Sequence, residues 1–167
     1  MSENNDMAAF VITRHFSLPR DVVWKAWSDP DQLKHWWGPK GCSIEVLRFE
    51  FRPGGFFHYA MNFDGAPTWW GRFNYREIVE LEGMVWLNSF ANEHCGIARA
   101  PFSENCPLEI QNSVTFSEHA GQTTVTLRAR PFGALGAECQ FFDDLRPSLE
   151  QGYGGTFDQL AEYLLRT

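Results

Sequence analysis

Residues 16–39 read FSLPRDVVWKAWSDPDQLKHWWGP. Pro19 suits the first turn of a helix, and Asp21 is favourable beside its unpaired N–H groups. Val22, Val23, Ala26 and Trp27 then recur along one helical stripe. Asp29-Pro30 interrupts the stripe, and Asp29 is a good cap for a second short helix over 30–37. Gly38-Pro39 stops that helix. Trp36 and Trp37 therefore stand together at the end of a short helix pair. Side chains of that size either plug a core or line an opening.

Working outward, FVITRHFS (10–17) reads as a strand. Downstream of residue 42 the period becomes two. In SIEVLRFEFR, Leu47, Phe49 and Phe51 alternate with Arg48, Glu50 and Arg52. Turn signals at PGG (53–55), DGAP (64–67), LEG (81–83) and HAG (119–121) separate further strands: FFHYAMNF, TWWGRFNYREI, MVWLNSF, LEIQNSVTFSE and QTTVTLRARPF. Residues 91–107 lack periodicity, and a connection that long is usually functional. From 137 to 165 the helical period returns through Leu145, Leu149, Tyr153, Phe157, Leu160 and Leu164. The predicted class is α+β: two short helices after the first strand, a curved antiparallel sheet of about six to seven strands, and one long C-terminal helix. Such a sheet has one apolar face, which the helix covers. Where the facing side chains do not meet, a cavity remains.

The chain has 167 residues, which suits a single domain over 1–167, with 1–9 expected to be flexible. Aromatic residues make up 16%, with 15 Phe and 7 Trp, which favours a large apolar interior surface. The net charge of −7 and the lack of a Lys/Arg run argue against a nucleic-acid partner. MSENNDMAAF has neither the basic nor the apolar region of a signal peptide, and no apolar run approaches the ~18 residues of a membrane span. A cytoplasmic location without membrane insertion is expected. Cys42, Cys95, Cys106 and Cys139 match no zinc or CxxC pattern and are expected to be reduced thiols.

In their order and spacing, FSLPRDVVWKAWSDPDQLKHWWGP, FRPGGFFHYAM preceded by Glu50, GRFNYREIVELEGMVW and QGYGGTFDQLAEYL resemble the START-like (SRPBCC) superfamily. Within it they are similar to homologues of the activator of heat-shock protein 90 ATPase. The resemblance spans about Phe10 to Leu165. It implies a helix-grip fold, with the sheet wrapped around the long C-terminal helix and an internal apolar pocket. It does not imply one activity, because members include ligand carriers, polyketide cyclase-like proteins, antibiotic-sequestering proteins and co-chaperone domains. Chaperone activators carry an additional N-terminal domain, for which this length leaves no room.

The candidate ligand-binding residues are Trp36, Trp37, Phe57, Tyr59, Met61, Trp69, Phe73, Trp86, Phe90, Tyr153 and Phe157, with Phe116 beside them. Taken singly, each is compatible with core packing. Taken as a set, they suit a pocket for a small hydrophobic or aromatic molecule. Trp36 and Trp37 are expected at its rim, with 91–107 as a lid. A second reading is a polyketide cyclase- or hydrolase-like enzyme using Glu50 or His58 as acid or base, which requires one of them to face the cavity. Strict alternation puts His58 opposite Tyr59, toward solvent, and Glu50 with Arg52 also reads as a turn-fixing ion pair. A third reading is a stress-response or co-chaperone interaction module, with a chaperone or a second copy of the chain as partner. His94, Cys95 and Cys106 read as solvated loop residues. His15, His35, His58, His94 and His119 have no metal-ligand spacing. No metal or cofactor is expected.

Overall fold

The computed structural model describes residues 9–166, so the stretch expected to be flexible lies outside it except for Ala9. β1 (Phe10–Phe16) leads through Pro19, at the N-cap, into α1 (Arg20–Ser28), which buries Val23, Trp24, Ala26 and Trp27. Asp29 ends α1 and caps α2 (Pro30–Leu33), its carboxylate accepting from the Asp31 N–H at 2.9 Å. The helix expected over 30–37 is thus one turn. It relaxes into turns after Leu33, whose carbonyl still accepts from Trp37 N–H at 3.0 Å.

The strands are β2 (Cys42–Phe49), β3 (Phe56–Phe63), β4 (Trp69–Val79), β5 (Gly83–Ala91), β6 (Ile97–Ala98), β7 (Glu109–His119) and β8 (Gln122–Phe132). All pair antiparallel in the order β1-β8-β7-β5-β4-β3-β2, with β6 added to the end of β5. Among the described residues β1 and β2 are the edges, and the curved sheet does not close. The two-residue β6 brings the count to eight. It was not legible because it lies in the aperiodic 91–107 stretch.

One register expectation is corrected. Strict alternation put Leu47 on the same face as Phe49 and Phe51. Instead a bulge between Val46 and Arg48 leaves Leu47 out of the ladder and 43% exposed. Ile44 and Val46 before it, and Phe49 after it, then all pack on the core. Two in-facing runs of opposite phase can share a strand only through such an extra residue.

The C-terminal helix is also corrected: it is two helices, α3 (Gly136–Asp144) and α4 (Arg146–Leu165), broken at Leu145. Pro147 has no N–H for a preceding carbonyl, so it is tolerated only in a first turn. α4 buries Thr156, Phe157, Leu160 and Leu164 against the concave face of the sheet.

The elements meet at Trp27. Its ring lies 4.6 Å from Trp36, 5.9 Å from Phe116, 6.0 Å from Phe157 and 6.1 Å from Trp86, mostly edge-on or tilted. Trp36 is 1% exposed and donates its indole N–H to the Ala26 carbonyl at 2.9 Å, so it is a core residue and not part of a rim. Trp36→Phe removes that hydrogen bond and leaves a void, and should destabilise the fold by about 1–3 kcal/mol in urea unfolding.

Candidate functional site

Three segments converge beside this core. Trp37, Gly38 and Pro39 follow the short helices, Tyr59 and Met61 come from β3, and Leu149, Gly152, Tyr153 and Thr156 come from α4. Asn88 and Phe90 of β5, Cys106–Leu108, and Ile110 of β7 complete the wall. They enclose a cavity of about 270 Å³, open to solvent beside Pro39, Ser148 and Gly152. That volume lies just below the range for ligand sites, roughly 300–1,000 Å³.

Local geometry holds the walls. Gly38 has a left-handed φ of +101°, and its carbonyl accepts from Thr156 Oγ1 at 3.0 Å and Gln159 Nε2 at 2.8 Å. The Trp37 wall is thereby tied to α4. Gly71 lies opposite Tyr59 in the β3–β4 ladder, and a Cβ there would come within 2.5 Å of the Tyr59 ring. The missing side chain lets the ring lie across β4. Burial pushes the Tyr59 phenol up, partly offset by hydrogen bonding from Trp37 and Asn88. Burial also pushes Tyr153 up. Its hydroxyl donates to Asn112 Oδ1 at 2.9 Å. Burial likewise raises the Cys106 thiol. All three are neutral at physiological pH.

Of the residues expected at a pocket, Trp37, Tyr59, Met61, Phe90 and Tyr153 line the cavity. Trp36, Phe57, Phe73, Trp86, Phe116 and Phe157 pack behind it as core, with Phe73 stacked on Trp86 at 4.4 Å. Trp69 is 36% exposed and lies outside the cavity against Phe63, Phe90 and Phe102. The sequence reading missed Gly71, Asn88, Cys106 and Thr156. The one signal available was a glycine inside a strand, which marks close approach by another group.

Glu50 and His58 do not line the cavity. Glu50 meets Arg48 at 3.0 Å and Arg52 at 3.6 Å and accepts from the Phe56 N–H, which holds its carboxyl below the usual range. His58 is on the convex face, as alternation requires, yet only 4% exposed, because residues 92–96 fold over it. Its Nε2–H donates to the Asn92 carbonyl at 3.0 Å, and Arg72 donates to the Cys95 carbonyl at 2.8 Å. The expected lid is therefore divided: 92–96 covers His58 and Arg72, Ile97–Ala98 pairs with the end of β5, and 106–108 walls the cavity. Within it His94 is exposed, but Cys95 and Cys106 are buried, which corrects the expectation of solvated loop cysteines. All four cysteines are free thiols. Among the described residues no His/Cys/Asp/Glu group could hold a metal ion, and no helix is long and apolar enough to cross a membrane.

The model of the family described as activator of Hsp90 ATPase homolog 1-like protein matches residues 17–165. The chain belongs to this family. Protein Ms6760 from Mycobacterium smegmatis is a similar solved structure: 26% identity, TM-score 0.76, covering 98% of this chain and 94% of that one. A protein from Arthrobacter aurescens has 23% identity and TM-score 0.80, covering 97% and 88%, and supports the helix-grip fold alone. No curated protein matches the chain.

Burial lowers the His58 pKa below its ordinary value, outweighing the Asn92 hydrogen bond that raises it. The unfolded chain thus binds a proton more readily than the folded one. The stabilising contribution is complete above about pH 6.5, the unfolded value, and is lost as pH falls through the folded value. Melting temperature should fall between pH 7.5 and 5.5, and His58→Gln should flatten that part of the profile in thermal scans.

Proposed function

We propose that this chain binds a small, mainly apolar molecule in the cavity between the sheet and α4. The observation that carries the reading is a wall of Trp37, Tyr59, Met61, Phe90, Leu149 and Tyr153 around about 270 Å³ of open space. A mainly apolar wall with few polar groups is typical of ligand sites, and burying a ligand's apolar surface at ~25 cal/mol per Å² drives association without any catalytic group. The family's Hsp90-activator description does not name a ligand, so the chemistry rests on the wall. The acid–base alternative needed Glu50 or His58 in the cavity. With both outside it, binding without chemistry is the better reading.

Titration with a panel of fatty acids, sterols and aromatic polyketides should give saturable quenching of Trp37 fluorescence, and mass analysis should recover the ligand unchanged. Gly152 is on the rim, and a Cβ there would meet open space. Gly152→Leu should keep or raise stability, since glycine costs ~1 kcal/mol inside a helix, while weakening binding at least tenfold by filling the mouth. Equal affinity for the variant would count against this cavity, and product in the mass analysis would restore the enzyme reading.

A second reading is favoured by one observation. Trp69, 36% exposed, and Phe102, 56% exposed, form an aromatic patch with Phe63 and Phe90. The family description makes an Hsp90-type chaperone the partner to test there. Phe102→Ala should abolish co-purification with such a chaperone and leave ligand affinity within about twofold. Failure of the parent chain to bind the chaperone, or a second copy of the chain on the patch in sedimentation, would exclude this reading.

A further inference from the structure

The side-chain polar groups around the cavity are few and none is charged; Ser148 is exposed at the mouth, and Ser89 Oγ has no partner but is fully buried in the wall. No Asp, Glu, Lys, Arg or His lines it. Of the cations around it, Arg14 and Lys40 in the adjoining groove are engaged with Asp158 at 2.9 and 3.5 Å, and Arg99, which reaches the Cys106 carbonyl, is engaged with Glu138 at 2.7 Å. The Tyr153 O–H is committed to Asn112 Oδ1, and the Thr156 O–H to the carbonyls of Gly38 and Gly152. Asn88 accepts from the Trp86 indole at 3.4 Å and donates to the Arg72 carbonyl at 3.3 Å. Tyr59 differs. Its phenol lines the cavity with Trp37 and Asn88, and among the described residues no acceptor is bonded to its proton, which is free to donate.

We propose that the cavity selects uncharged molecules with an apolar body of about one or two fused rings and one oxygen acceptor placed for the Tyr59 O–H, and that it rejects carboxylates. The inference rests on the cavity being the binding site. A hydroxyl or ketone oxygen at Tyr59 completes that phenol's hydrogen bonding. A carboxylate in the same place would be desolvated with no cation to meet it, which is far more costly than burying a neutral oxygen. A hydrocarbon would leave the Tyr59 proton unpaired, a smaller penalty. The predicted order is therefore neutral oxygen compound, then hydrocarbon, then carboxylate.

Four probes of one ring size separate these terms: 2-naphthol, 2-acetonaphthone, naphthalene and 2-naphthoate, titrated calorimetrically at pH 7.5. Naphthol and acetonaphthone should bind roughly three- to tenfold more tightly than naphthalene, the worth of one neutral hydrogen bond. Naphthoate should show no saturable heat. Tyr59→Phe keeps the ring over Gly71 and should bring the two oxygen compounds down to the naphthalene affinity. Equal binding of naphthol and naphthalene by the parent chain would overturn the selection and leave the cavity reading intact. Preferential binding of naphthoate would also overturn it. If none of the four binds and the wider ligand panel gives no fluorescence response, the cavity reading fails as well.

Discussion

The structure depends on a close-packed aromatic contact around one ring. Trp27 of α1 touches Trp36 from the turn after α2, Trp86 of β5, Phe116 of β7 and Phe157 of α4. No two of those partners come from the same element. Short helices, sheet and C-terminal helix are therefore referenced to a single point, and a shift of any one is felt by the rest because interiors are packed like crystals. Behind that point the interior is filled. Beyond it, toward Pro39 and the first turns of α4, the same sheet face is not filled, and this is where the cavity lies.

The boundary between solid core and cavity is set by small residues as much as by large ones. Gly71 leaves space on β4 that the Tyr59 ring occupies, so the phenol lies along the sheet instead of standing up to meet α4. Gly152 presents no side chain at the mouth, where a Cβ would meet only open space. Gly155 has a different role. A Cβ there would touch the Lys40 side chain at 3.4 Å, so this glycine allows close approach of the 38–41 turn to the helix. The QGYGG run thus combines an opening and a packing contact within one helical turn, at the expense of helix propensity.

Much of the fold was legible because alternation and turn residues mark the strands locally. FFHYAMNF runs to the residue as β3, and the chain order of hairpins gives the sheet. Two failures share a physical cause. At Leu47 and at Leu145 a local period continues in the sequence while the backbone changes phase, through a bulge in one case and a proline-started helix in the other. Side-chain type alone does not record that change. The site was less legible than the fold. Trp36 and Trp37 are identical neighbours in sequence, yet one packs on Trp27 and the Ala26 carbonyl while the other lines the cavity. Buried aromatic residues lie on both sides of the cavity wall, and only three-dimensional position separates them. His58 shows the reverse: alternation gave its face correctly, but a remote loop covered it.

The two sides of the mouth are held by bonds of different quality. On the Trp37 side, Thr156 of α4 donates to the Gly38 carbonyl in a buried setting, and Gln159 donates to the partly buried carbonyls of Trp36 and Gly38. Breaking these bonds would strand carbonyls in an apolar site, so that wall is stiff. On the opposite side, Cys106–Leu108 is tied to the start of α3 through Arg99, which reaches the Cys106 carbonyl at 3.2 Å and Glu138 at 2.7 Å. Arg99 is half exposed, so water replaces its bonds at little cost. The α3–α4 break at Leu145 lies on this same side and interrupts the helical hydrogen bonding that would otherwise make it rigid. Any opening of the mouth therefore costs least on the 106–108 side, with the tryptophan wall left in place.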